Sequence, residues 1–73
     1  MEDIKKIIVD GAREENLYDA LTDNYLNLSK EDLLRIALEV IYNRYLLQRE
    51  EFVTEEDKQR YNDDLADSLD EIL

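Results

Sequence analysis

Seventy-three residues with twenty acids, nine bases and no His carry a formal net charge of −11. That charge argues against DNA or an anionic membrane as a direct partner, and the lack of Cys and His removes disulfides and the usual zinc ligands. A hydrophobic content of 44% is too high for a disordered chain, so residues 1–73 are expected to form a single, marginally stable domain.

No Pro and one Gly, Gly11, remove most strand and turn punctuation. The expectation is an all-α fold, a small bundle of three or four helices with a long central helix. The first segment runs from about Glu2 to Val9 or Asp10. Glu2 and Asp3 suit a helix N-terminus, and Ile4, Ile7 and Ile8 recur at helical spacing. Gly11 is placed to end or kink this helix. The β-branched run Ile7–Val9 leaves a strand as the competing reading for residues 6–10. A second segment spans about Ala12 to Asn24, with Leu17, Ala20 and Leu21 in helical register and Asn24 and Asn27 marking its exit.

The third segment, Lys30 to about Glu50, opens on Ser29 as N-cap, with Asp32 at the capping-box position and Leu28 and Leu33 placed for a hydrophobic staple. One apolar stripe is Leu34, Ala37, Leu38, Ile41 and Tyr45; a second is Leu33, Ile36, Val40 and Leu47. Only Arg35, Glu39, Asn43 and Gln48 mark a polar line. So broad an apolar surface is either wrapped by neighbours or shared between two subunits, and a homodimer with this helix at or near its interface is expected. Arg44 and Arg49 sit near the helix C-terminus, where cations suit the dipole.

The fourth segment begins at the N-cap Thr54 and runs to about the C-terminus, with Tyr61, Leu65, Leu69 and Ile72 as a narrow stripe. Residues 50–73 hold ten carboxylates against Lys58 and Arg60. Asp63, Asp67, Asp70 and Glu71 form like-charged i, i+3 or i, i+4 pairs, each costing about 0.2–0.5 kcal/mol, and the last two oppose the negative pole of the helix dipole.

Catalysis finds little support. The commonest general base and activated nucleophile are absent, Ser29 is better explained as a cap, and one glycine cannot make a phosphate-binding loop. No catalytic residue, cofactor or metal ligand is assigned. Asp63, Asp64, Asp67 and Asp70 lack the Gly and the final Glu of an EF-hand loop, which leaves a solvated acidic face as the favoured reading. That face is either a solubilising surface or a mimic of nucleic-acid phosphates. Residues i and i+4 lie about 6 Å apart along a helix axis, on the scale of about 3.4 Å axial rise between phosphates on a strand. The candidate partner-binding residues are Glu56, Asp57, Asp63, Asp64, Asp67, Asp70 and Glu71, with Tyr42, which lies off the first stripe, as an exposed aromatic anchor.

A small, Cys-free, His-free chain with acid on one face resembles phage-encoded inhibitors of host proteins, among them DNA mimics that block uracil-DNA glycosylase, nucleoid proteins or Cas nucleases. The likeness is one of size and charge and carries no individual residue over. It implies a non-enzymatic acidic protein that inhibits or sequesters a basic nucleic-acid-binding protein in a host cytoplasm. The alternative is an adaptor or antitoxin-like protein that binds through the apolar face of the third segment, its acid serving only solubility. Ile4–Val9, interrupted by Lys5 and Lys6, is too short for a signal-peptide core or a membrane span, and a cytoplasmic address is expected.

Overall fold

Asp3 opens the first helix by accepting a hydrogen bond from the Lys6 amide on its side chain (3.3 Å), satisfying one of the orphan donors of a helix start. The computed structural model describes residues 3–73; Glu2, expected among the first-turn acids, lies outside them. Helix α1 (Ile4–Arg13) buries Ile8, Val9 and Ala12. The run Ile7–Val9 is therefore helical, its β-branched residues serving a 3.6-residue stripe that starts at Ile4.

Gly11 does not end α1. The helix continues to Arg13 and closes with the Glu14 amide on the Asp10 carbonyl (3.0 Å) and the Asn16 amide on the Gly11 carbonyl (2.7 Å). Glu15, at φ 57°, takes the left-handed position that such a closure usually gives to glycine. Gly11 has a different use: a Cβ there would lie 2.9 Å from the Ala20 Cβ, so the missing side chain lets the next helix approach closely. That helix, α2 (Leu17–Asn24), starts later than the expected Ala12 because residues 12 and 13 complete α1. A single 3₁₀ turn, Tyr25–Asn27, leads out of it.

The two long helices occupy the expected segments. In α3 (Lys30–Arg49) the Ser29 hydroxyl accepts from the Asp32 amide at 3.0 Å. In α4 (Glu55–Ile72) Thr54 and Asp57 form a full reciprocal capping box, with bonds of 3.1 and 3.3 Å. Asp substitutes for the usual Glu or Gln without losing either bond.

α1 and α4, not α3, form the centre: α4 packs on both α1 and α3, and α1 on both α4 and α2. The expected long central helix exists but forms a flank. Small buried residues decide this, because Ala12 on α1 and Ala66 on α4 bring those axes together around Ile8, Leu65 and Leu69. Ile36, 1% exposed, anchors α3 to the same core. Leu33, Val40 and Leu47 are half-buried beside it. Asn43, placed by the sequence on a polar line of α3, is buried and donates its Nδ2 to the Tyr61 carbonyl at 2.9 Å. An amide can enter the core when its donor is met in this way. No described helix is long and apolar enough to cross a membrane.

Candidate protein-binding surfaces

Two surfaces stand out, and the first is the acidic side of α4. Its carboxylates do not act alike. Asp57 is occupied by the capping box and by Arg60, whose Nη2 lies 3.5 Å from its Oδ1. Asp63 and Asp67 converge on Arg13 of α1, at 3.6 Å from Nε and 3.4 Å from Nη2, and Asp63 also accepts from Gln59 at 3.1 Å. Asp70 meets Lys5 of α1 at 3.4 Å. The repulsion expected along this helix is thus offset by cations that the fold brings from another helix. Each exposed pair contributes at most about 1 kcal/mol, but together they tie α1 to α4.

Glu56, Asp64 and Glu71 remain exposed and outside every ion pair among the described residues. Tyr42 is exposed on α3, where it shares a shallow hollow with Asp64, Tyr61 and Ser68. The Tyr61 hydroxyl donates to Glu50 Oε1 at 3.0 Å. Its pKa is pushed up from the ordinary value of 10.0, first by burial and then by the neighbouring Glu50 carboxylate, each of which disfavours the phenolate.

The second surface is the outer side of α3. Leu34, Leu38, Ile41 and Tyr45 are exposed by 60, 58, 65 and 54%. Spaced four, three and four residues apart, they fall within about 60° of one another at 3.6 residues per turn. Their seam lies about 150° round the helix from the stripe that enters the core, so α3 is apolar on two nearly opposite sides. Lys30 and Arg44 flank the seam on one side, Arg35 and Arg49 on the other; Arg44, about a quarter-turn from the seam, also lines the cleft toward α2. All four are exposed and absent from the ion pairs. The Arg49 guanidinium rests 5.7 Å from the Tyr45 ring centre. Sequence reasoning found this stripe but assigned Arg44 and Arg49 to the helix dipole. The signal it missed was their placement on opposite sides of one seam.

A cleft of about 500 Å³ opens between α2 and α3, floored by Leu17, Leu21, Val40 and Leu65. Its one carboxylate, Glu15, accepts from Asn62 Nδ2 at 2.9 Å. Among the described residues no three carboxylates converge as a metal site. Compared with known protein families, curated proteins and solved structures, the chain matches none.

Proposed function

We propose that this chain is a non-enzymatic interaction protein that holds a protein partner on the outer face of α3. The observation that carries the reading is the seam Leu34, Leu38, Ile41 and Tyr45, each more than half exposed on a regular helix. A contiguous apolar strip of this kind on a small protein marks an interface, and Tyr and Arg at its margins suit one. The acid elsewhere keeps the free protein soluble.

A second reading has its own support. Glu56, Asp64 and Glu71 point unpaired toward solvent and could engage a basic nucleic-acid-binding protein by imitating phosphates. It ranks lower because Asp63, Asp67 and Asp70 already face Arg13 and Lys5. The charge left for such a partner is smaller than the sequence implies.

Position-specific photo-cross-linking separates the two. A cross-linking residue at Leu38 or Ile41 should yield protein adducts in cells that make the chain. The same residue at Glu56, Asp64 or Glu71 should yield few. Adducts confined to the α4 positions, and abolished by added DNA, would replace the first reading with the second.

A further inference from the structure

We infer that the occupant of the α3 face is an amphipathic helix whose own apolar seam is flanked by carboxylates, and that it belongs to another protein and not to a second copy of this chain. The inference rests on the reading that the outer face of α3 is the binding surface, and adds the chemistry of what binds there.

The argument is charge placement. The chain carries −11, yet the outer side of α3 is locally basic. Four cations border the seam, two on each side, and the only carboxylate close to it is Glu31 in the first helical turn. Elsewhere the fold uses four of its five cations internally, since Lys5, Arg13, Lys58 and Arg60 all lie within 3.6 Å of a carboxylate and Lys6 alone does not among the described residues. Lys30, Arg35, Arg44 and Arg49 have no such partner among the described residues. An apolar seam with one sign of charge along both borders specifies the opposite sign on its mate, as flanking residues do in coiled coils.

A second copy fits this badly. Laying α3 against α3, parallel or antiparallel, sets most border cations against cations or against neutral Ala37 and Tyr42, and Glu31 alone offers a copy an opposite charge. An anionic bilayer fits badly too. It is a broad plane that would also reach Glu50 and Glu51 beyond the C-terminal end of α3. A helix only about 10–12 Å wide, laid along the seam, meets the four border cations and one carboxylate, Glu31. The acids on the far side of α4 stand roughly two interhelical spacings of 8–10 Å away, beyond the Debye length of about 8 Å at physiological salt. Net charge therefore does not forbid an acidic mate.

The test uses the intact chain and two designed helical peptides with the same Leu/Ile seam, one bordered by Glu and one by Lys. Fluorescence anisotropy at physiological salt should show the Glu peptide binding at least tenfold more tightly. Leu38→Glu should abolish that binding. The triple change Arg35→Glu, Arg44→Glu, Arg49→Glu should reverse the preference without unfolding the chain, because these side chains are exposed and form no ion pair among the described residues. Circular dichroism checks the fold. Sedimentation of the chain alone should show a monomer. Equal affinity for both peptides would overturn the proposal. So would a self-dimer dissolved by Leu38→Glu, or co-sedimentation with phosphatidylserine vesicles. If neither peptide binds while Leu38 still cross-links to a protein in cells, the acidic-helix mate is wrong and the α3 interface survives. If Leu38 gives no adduct, the interface itself is wrong.

Discussion

α1 and α3 are both cation-bearing helices laid against α4, and they end in opposite states. α1 is completed within the chain. Its apolar residues enter the core, its glycine admits α2, and two of its three cations, Lys5 and Arg13, meet carboxylates of α4. α3 is completed on one side only. Ile36 is buried and Asn43 is hydrogen-bonded, while the opposite side shows four large apolar residues and four cations to solvent. One stripe needs one neighbour. Two nearly opposed stripes need two layers, and a chain of 73 residues supplies only one of them.

The comparison breaks most visibly at the two stripes of α3. Ile36→Ala should cost about 2–5 kcal/mol as a cavity in the core. A domain of this size has on the order of 4–11 kcal/mol in total, so thermal melting should show a large loss of Tm. Leu38→Ala on the outer stripe should shift stability by no more than about 0.5 kcal/mol while impairing partner binding. If Leu38→Ala destabilises as much as Ile36→Ala, the outer stripe is not free and the contrast between the helices is false.

Gly11→Ala sharpens the α1 side. The new Cβ meets Ala20 and sits 3.3 Å from the Asn16 carbonyl oxygen. Overpacking of about 1–3 kcal/mol should exceed the gain of about 0.5–1 kcal/mol from replacing a helical glycine. A net fall in the denaturation midpoint is expected, with part of it recovered by adding Ala20→Gly. A stabilised Gly11→Ala protein would mean that α1 and α2 are not held close.

The smallest effect concerns charge. Arg13→Gln should lower stability by up to about 1 kcal/mol at low salt and by less as salt rises, because Asp63 and Asp67 lose their shared cation. Arg44→Gln should leave stability nearly unchanged at any salt. Equal effects in urea titrations would show that Arg44 has a partner within the chain.

Much of the fold was legible in the residues. The caps Ser29 and Thr54 set the starts of α3 and α4, and the stripe of α4 ran where its periodicity placed it, because these signals act within a few residues. Gly11 was misread because a glycine that ends a helix and one that admits a neighbour look alike in sequence. The burial of Asn43 was not legible because its partner, the Tyr61 carbonyl, lies eighteen residues away on another helix. The acidic candidates were visible as a group, but their division into the ion-paired Asp63, Asp67 and Asp70 and the free Glu56, Asp64 and Glu71 needed the position of α1.

By itself, then, the sequence determined an all-helical chain, the bounds of its two long helices, the presence of two apolar stripes on α3 and the acid of α4. Those properties follow from local hydrogen bonding, 3.6-residue periodicity and composition. Only the tertiary structure decided that α1 and α4 form the centre, which stripe of α3 enters the core, and which charges are neutralised at home. The physical reason is that burial and ion pairing depend on what lies across a gap of a few ångströms, and the residues on the two sides of these gaps are up to 65 positions apart in the chain, as Lys5 and Asp70 are.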